Sequence, residues 1–364
     1  MKHFFLNAMV AVDLSRGVAE RRSLPDEVLR SGDPARLAAL FPDALVLTAG
    51  SLTGSFAPAS GLTVLRADGK TTFVTGRVGR ALRLCGLDAV VVSGRAESPV
   101  VLLLDEKEAV LRAADPALDA DAQRAAFEQA ARAAFPSGTD VAPLPLLAGP
   151  AAFLGCASPC LIHDVGVAPR SAEAAASMAK RGLVGFCFHG GAGFASPVPL
   201  DSPLRAAAPV QRVTGATLAA TLNAASDAPL ARVSVTPGRS LACFACPAPC
   251  GFWMSLDDGF VPCTAPEALA ALLAAGASEE RVARLMAMGE RFGVDPLALV
   301  SLASAATLPS ELRECAEAAS PLPEKTEDPA LDALAAETGL CPFFLKRFPA
   351  AKAALEAWLA ADNA

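Results

Sequence analysis

Three cysteines within eight residues constrain this chain more than any other feature. Cys243, Cys246 and Cys250 follow the spacing Cys-x2-Cys-x3-Cys, and Gly251 comes directly after the third cysteine. Several thiolates in one tight loop are typical of a metal or iron–sulfur site, because a single loop assembles the ligands at low entropic cost. Ten cysteines could instead form disulfides, but a disulfide framework belongs to small secreted domains and this chain has 364 residues. We therefore predict a 4Fe–4S cluster in a cytoplasmic protein.

A cubane cluster needs a fourth thiolate, and the spacing alone leaves Cys263, Cys315 and Cys341 as candidates. The main alternative is a zinc site made of the three loop cysteines and Cys263, although such a site would contain only one x2 pair. The remaining cysteines give weaker signals, since an isolated thiol in an apolar segment is usually a buried side chain. Buried thiols are expected at Cys85, Cys187 and Cys315, and no role is assigned to the neighbours Cys156 and Cys160.

The hydrophobic pattern predicts an α+β fold with two domains. Residues 1–205 read as a strand-rich α+β domain, and residues 206–364 read as a mostly α-helical domain. The predicted strands of the first domain include Ala44–Leu47, Leu62–Leu65, Ala89–Val92 and Val100–Leu104. Its predicted helices are Arg77–Cys85 and Asp121–Phe135. The predicted helices of the second domain are Ala268–Ala275, Glu279–Phe292, Pro296–Ala306 and Ser310–Ala319.

The net charge and the hydropathy of the chain argue against nucleic-acid binding and against a membrane span. A net charge of −7 gives no electrostatic reason to bind nucleic acid, which needs clustered Lys and Arg. The longest apolar runs, such as Val100–Leu104, fall far short of the roughly 20 residues that a membrane span requires. We expect no nucleic-acid partner and no membrane span.

Several short motifs stand in order along the chain. They are Thr48–Gly54, Ala57–Gly61, Gly76–Gly94, Arg181–Gly185, Cys243–Gly251, Glu267, Glu290–Asp295 and Thr338–Cys341. Together they resemble the tungsten- and molybdenum-pterin aldehyde:ferredoxin oxidoreductase family. Arg181–Gly185, for example, is similar to that family's Arg-Gly-Gly-x-Gly turn, and Gly339-Leu340-Cys341 resembles the Gly-Leu-Cys that supplies its fourth cluster ligand.

The resemblance implies a function and a set of site residues. It implies a 4Fe–4S cluster held by Cys243, Cys246, Cys250 and Cys341, beside a tungsten or molybdenum ion carried by two pterins. The implied reaction oxidises an aldehyde to a carboxylic acid, with ferredoxin or a similar carrier as electron acceptor. The assembly is not fixed by the resemblance, and a homodimer is one option. The implied cofactor-binding residues are Arg181, Gly182, Glu290 and Asp295, and the implied proton acceptor is Glu267.

The chain also departs from the family pattern. The segment between Asp295 and Gly339 is much shorter than in the family, and no histidine matches the family's catalytic one. Leu62 and Phe73 stand where the family has polar pterin contacts, so charge-assisted bonds worth roughly 1.5–3 kcal/mol each would be lost. Two further hypotheses follow: a cluster-only electron-transfer or accessory protein, and a partner-binding paralogue with an empty site.

Ordinary structural explanations exist for several of these residues. Glu267 follows Pro266 and suits the first turn of a helix, where the helix dipole favours a carboxylate. Glu290 and Asp295 flank Gly293 at a junction where Gly ends one helix and Asp caps the next. Three arginines within two turns of a predicted helix are expected on a solvated face. They are Arg77, Arg80 and Arg83.

Overall fold

A computed structural model describes thirteen stretches of the chain. They are residues 5–31, 35–74, 76–136, 140–145, 180–191, 235–241, 243–246, 251–256, 259–263, 277–278, 281–285, 287 and 328–362. The boundary predicted at residue 205 lies outside these stretches and stays a prediction. The same holds for the helices predicted between residues 268 and 319, except that residues 281–285 are helical.

The described elements begin with strands interrupted by helices and finish with three consecutive helices. The strands are β1 (Met9–Asp13), β2 (Val18–Arg22), β3 (Leu45–Ala49), β4 (Thr63–Ala67), β5 (Lys70–Val74), β6 (Ala89–Ser93), β7 (Val100–Leu104), β8 (Ala109–Ala113), β9 (Asp140–Pro145), β10 (Leu183–Gly190), β11 (Val235–Leu241), β12 (Gly251–Leu256) and β13 (Gly259–Cys263). The helices are α1 (Asp26–Ser31), α2 (Ala35–Leu40), α3 (Val78–Leu84), α4 (Ala120–Ala134), α5 (Pro329–Thr338), α6 (Pro342–Arg347) and α7 (Pro349–Asp362).

A six-stranded sheet in the order β2-β1-β6-β3-β4-β5 forms the first layer. β1 and β6 pair in parallel, and the other neighbours are antiparallel. β3 is buried along its whole length, as expected for a central strand made of Leu, Val, Thr and Ala. Helices α1 and α2 cover one face through a core that includes Val28 and Leu37.

A four-stranded sheet in the order β8-β7-β10-β9 forms the second layer. Helix α4 covers it with Phe127, Ala131 and Phe135, which pack against Val101 and Leu103. The helical spacing predicts one apolar face made of Phe127, Ala130, Ala131 and Ala134, and all four belong to this core or pack against it. Helix α3 packs against β3 of the first sheet and β10 of the second. Helix α3 therefore lies between the two sheets.

The described N-terminal region confirms the strand-rich α+β prediction, including the four predicted strands and both predicted helices. In the later half, where mostly helices were expected, the described residues include the helices α5, α6 and α7 and also a three-stranded antiparallel sheet of β11, β12 and β13. Phe252, Trp253 and Val261 suit a pleated sheet, but Pro and Gly interrupt these short strands and hide the alternation.

Helices α5, α6 and α7 pack as consecutive elements at the end of the chain. Asp328 caps α5 by accepting a hydrogen bond from the amide of Leu331 at 3.1 Å, and Pro329 occupies the first turn. Gly339 ends the helix in the left-handed conformation at φ 79°. This ending brings the chain directly to Cys341, which precedes α6.

Candidate functional site

The cysteine motif lies in the connection of a β-hairpin. β11 and β12 are antiparallel, and Leu241 pairs with Gly251 at the end of their ladder. Residues 243–246, here called the cysteine loop, follow β11 closely and turn so that the amide of Cys246 donates to the carbonyl of Cys243 at 3.1 Å. Both of these cysteines are half-buried. Cys250 lies outside the described residues, next to Gly251.

Cys341 approaches the same place from the C-terminal helices. Left-handed Gly339 turns the chain out of α5, and its amide still donates to the carbonyl of Ala335 at 2.8 Å. Cys341 then stands at the N-cap position of α6 and is half-buried. Its side chain and that of Cys246 pack against the same apolar core, which includes Leu52 and Leu340.

Ala59 joins the two cysteine-bearing segments. Its amide donates to the carbonyl of Ala245 in the cysteine loop at 2.9 Å, and its carbonyl accepts from the amide of Cys341 at 3.1 Å. Ala59 is 1% exposed and has a φ of 57°, a left-handed conformation that is strained for any residue with a Cβ. Backbone strain of this kind persists only where the surrounding contacts enforce it.

Ala59 belongs to residues 50–62, here called the bridging loop, which runs from the end of β3 to the start of β4. Along this loop the amides of Ser51 and Leu52 donate to the carbonyls of Glu337 and Thr338, at 2.9 and 2.8 Å. The bridging loop is therefore hydrogen-bonded to the last turn of α5 as well as to both cysteine segments.

Close backbone contacts leave no room for side chains at this junction. A Cβ built on Gly50 would lie 2.2 Å from the amide nitrogen of Gly339, and one on Gly61 would lie 2.6 Å from the carbonyl oxygen of Gly76. The carbonyl of Gly76 also accepts from the amide of Phe244 at 3.4 Å. These glycines allow three segments of backbone to meet beside the cysteines.

Helix α3 supplies the charged groups near the site. The guanidinium of Arg80 lies 5.0 Å from the ring centroid of Phe244, a cation–π contact with the cysteine loop. Arg83 is fully buried, forms an ion pair with Asp88 and donates to the carbonyl of Gly50 at 2.7 Å. Burial lowers the pKa of the Arg83 guanidinium, and Asp88 opposes that shift. The expectation that Arg83 lies on a solvated face is wrong, because it anchors the start of the bridging loop.

The donor chemistry at this junction fits an iron–sulfur cluster. The candidate ligands are thiols, which bind iron as thiolates, and they come from two segments held by one residue. Among the described residues, no three His, Cys, Asp or Glu side chains lie close enough together to hold a single metal ion. A four-iron cluster takes one thiolate at each iron, so its ligands do not converge on one point.

The alternative ligand Cys263 also comes near the hairpin connection. In the ladder of β12 and β13, Cys263 pairs with Phe252, which is two residues from Cys250. The backbone arrangement thus leaves both Cys263 and Cys341 within reach of the hairpin connection, and the zinc alternative stays open. Cys315, Cys156 and Cys160 lie outside the described residues.

Arg181 and Gly182 lie at the start of β10 rather than on the cysteine segments. Arg181 donates to the carbonyl of Asp43 and forms an ion pair with Asp68 at 3.8 Å. Gly182 has a φ of 70°, and its carbonyl accepts from the amide of Val100 at 2.9 Å. Their predicted cofactor role stays a prediction. Glu267, Glu290 and Asp295 lie outside the described residues.

The glycines after His189 match no functional motif in the sequence. His189 itself is 1% exposed at the end of β10, and neither ring nitrogen has a hydrogen-bond partner among the described residues. A Cβ on Gly190 would lie 2.5 Å from that of Leu84, and one on Gly191 would collide with Glu106. Close packing of β10 against its neighbours explains these two glycines.

Comparison with known proteins gives a family match over one part of the chain and a likeness in fold. Residues 34–190 match the family model described as aldehyde ferredoxin oxidoreductase, N-terminal domain. A search of curated proteins gave no match. The structure is similar to the active-site complex BamBC of benzoyl-coenzyme A reductase, solved with 1,5-dienoyl-CoA, with a TM-score of 0.62 and 15% identity. That likeness covers 86% of this chain and 59% of the BamBC chain, so this chain spans about three fifths of the length of the BamBC chain. No helix within the described ranges is long and apolar enough to cross a membrane.

Proposed function

We propose that this chain, whose residues 34–190 match the N-terminal-domain model of the aldehyde ferredoxin oxidoreductase family, is an iron–sulfur oxidoreductase of that family whose 4Fe–4S cluster is held by four cysteines. Three of them come from the hairpin connection, namely Cys243, Cys246 and Cys250. The fourth is Cys341. The likeness to BamBC supports the fold that this proposal requires.

The main support for the proposal is the pair of backbone hydrogen bonds made by Ala59. Ala59 accepts a hydrogen bond from Cys341 and donates one to Ala245, so a single strained residue of the family's N-terminal domain holds both cysteine segments. Two segments separated by about a hundred residues of sequence meet there, and both carry half-buried thiols. Crowded thiols with no metal are an oxidation liability, which is a reason for such an arrangement to serve a cluster.

The reaction we propose converts an aldehyde and water to a carboxylic acid, two protons and two electrons. A tungsten or molybdenum ion held by two pterins supplies the two-electron, oxygen-transfer chemistry in this family. The four cysteines would hold the cluster that passes these electrons on one at a time. Two ferredoxins or similar carriers accept one electron each. Glu267 is proposed as the proton acceptor in this reaction. The proposed cofactor-binding residues are Arg181, Gly182, Glu290 and Asp295.

A second candidate function is electron transfer by the cluster alone. Leu62 favours it, because this residue stands where the family's polar pterin contact is expected and is 0% exposed. Its amide donates to the carbonyl of Gly339 at 3.2 Å, which fixes it in the junction between the bridging loop and α5. An apolar, enclosed side chain provides no donor for the phosphate of a pterin.

Metal analysis of anaerobically purified protein separates the two functions. The oxidoreductase predicts about four irons per chain together with stoichiometric tungsten or molybdenum, and aldehyde-dependent reduction of a viologen dye. Glu267→Gln should abolish that dye reduction while leaving the iron content unchanged. Iron without tungsten or molybdenum, and no aldehyde activity, would favour the electron-transfer function. Zinc in place of iron would contradict both.

A further inference from the structure

The hydroxyl of Thr53 ties the two ends of the bridging loop together. It accepts a hydrogen bond from the amide of Gly50 at 2.8 Å and donates one to the carbonyl of Leu62 at 2.7 Å. Thr53 is 1% exposed. Both backbone groups are enclosed by protein, so water cannot replace the hydroxyl unless the loop opens.

Thr53 is also packed directly against the backbone that leads to Cys341. A Cβ on Gly339 would lie 1.9 Å from the Thr53 hydroxyl oxygen and 3.0 Å from the Thr53 amide nitrogen. On the opposite side, a Cβ on Gly79 would lie 2.5 Å from the Thr53 methyl group. The side chain thus fills the space between the end of α5 and the first turn of α3.

The contacts continue from Thr53 to the candidate cluster ligand. Thr53 holds Leu62, whose amide donates to the carbonyl of Gly339, two residues before Cys341. Within the same loop, Ala59 accepts from the amide of Cys341 and donates to Ala245. The relative placement of Cys341 and the cysteine loop therefore depends on one conformation of the bridging loop.

We infer that Thr53 is a positioning residue for Cys341: its hydroxyl closes the bridging loop and so sets the distance between Cys341 and the cysteine loop. The inference rests on the proposed cluster. Removing the hydroxyl leaves the Gly50 amide and the Leu62 carbonyl unpaired in a buried place, and the loop relieves this by moving. Groups outside the ligand shell orient the ligands, and their loss typically weakens metal binding 10- to 100-fold.

The test compares Thr53→Val, which has nearly the same shape, with Thr53→Ser, which keeps the hydroxyl. Thr48→Val is the matched control: Thr48 is also fully buried and donates to the carbonyl of Val64 at 3.4 Å, away from the cysteine segments. Each protein is purified anaerobically with its full chain. The readouts are the rate of iron loss to a ferrous chelator, the electron paramagnetic resonance spectrum of the reduced protein and its midpoint potential.

We expect Thr53→Val to lose iron about tenfold faster than the wild type, with an altered resonance spectrum and potential. Thr53→Ser should restore the wild-type values, and Thr48→Val should leave all three readouts unchanged. If Thr53→Val does not fold, Thr53→Ala replaces it, because alanine also removes the hydroxyl but places no methyl group against the Gly50 amide and the Leu62 carbonyl. Wild-type iron loss, spectrum and potential in a folded Thr53→Val or Thr53→Ala would overturn the inference alone. A wild-type protein without iron would overturn the proposed function and this inference together.

Discussion

The amide of Cys341 donates to the carbonyl of Ala59 at 3.1 Å, and the amide of Ala59 in turn donates to Ala245 in the cysteine loop. This pair of bonds connects a helix at the end of the chain to a hairpin some hundred residues earlier. It uses the two backbone groups of one buried residue, so no side chain of the N-terminal domain is required to touch either thiol.

Substitutions at Ala59 should separate backbone strain from packing. Ala59→Gly relieves the strain of a left-handed residue with a Cβ, but it also raises the conformational entropy of the unfolded chain. Because these effects oppose each other, the free energy of unfolding should change by less than about 1 kcal/mol. Ala59→Val places a β-branched residue in the same conformation and overfills the core, and should destabilise by about 2–4 kcal/mol. Urea unfolding followed by the fluorescence of the two tryptophans checks both values. Equal effects of Gly and Val would contradict the strained conformation.

The contact between Gly339 and Thr53 predicts a large difference between two glycine substitutions. Gly69 and Gly339 have φ of 75° and 79°, so alanine is strained to the same degree at both, by about 1–2 kcal/mol. A Cβ on Gly69 meets nothing within 4 Å, whereas one on Gly339 overlaps the Thr53 hydroxyl. Gly339→Ala should therefore shift the urea midpoint at least twice as far as Gly69→Ala. Similar midpoints for the two variants would mean that Gly339 and Thr53 are not in close contact in the folded protein.

The ion pair of Arg83 and Asp88 should contribute far more than an exposed pair. Arg83→Met leaves the Asp88 carboxylate buried and, among the described residues, bonded only by the amides of Leu6 and Ala8, and should destabilise the protein by about 3–5 kcal/mol. Arg22→Met removes an ion pair with Glu20 in which both side chains are at least half exposed, and should lower the melting temperature far less than Arg83→Met does. Thermal unfolding of both variants tests the contrast, and a mild effect at Arg83 would contradict its anchoring role.

Two buried thiols should make stability fall in alkaline solution. Burial raises the pKa of both Cys85 and Cys187 far above the ordinary thiol value, with smaller contributions from Asp105 and Glu128 respectively. Above about pH 8.5 the unfolded chain ionises these thiols and the folded chain does not. Each should then lower the free energy of unfolding by about 1.4 kcal/mol per pH unit.

Single variants isolate these contributions. Cys85→Ala and Cys187→Ala should each reduce the slope of unfolding free energy between pH 9 and 10 by about 1.4 kcal/mol per pH unit. The chain contains no tyrosine, so phenol ionisation does not obscure the measurement. An unchanged slope in both variants would show that neither thiol is enclosed in the folded protein.

The sequence predicts regular elements better than it predicts the junction beside the cysteines. The runs of Val and Leu in β3, β6 and β7 and the helical spacing of α4 are local patterns, and the structure confirms them. Burial of Cys85 and Cys187 follows from their apolar neighbours in the same way.

The features that position Cys341 have no local signature. An alanine at φ 57° is indistinguishable in sequence from an alanine in a helix, and the burial of Arg83 depends on Asp88 and on the Gly50 carbonyl rather than on helical spacing. Cys341 itself was selected from three candidates by resemblance to a family motif. Its hydrogen bond to Ala59 depends on two parts of the chain that only the folded structure brings together.

Iron and zinc content with electron paramagnetic resonance, on anaerobically purified wild type, Cys341→Ser and Cys263→Ser, tests the cluster and its fourth ligand most directly. We predict about four irons per chain in the wild type and in Cys263→Ser, with the same spectrum on reduction. Cys341→Ser should lose most of its iron or give an altered spectrum. Stoichiometric zinc with no iron would contradict the cluster. Loss of metal in Cys263→Ser but not in Cys341→Ser would contradict Cys341 as its fourth ligand.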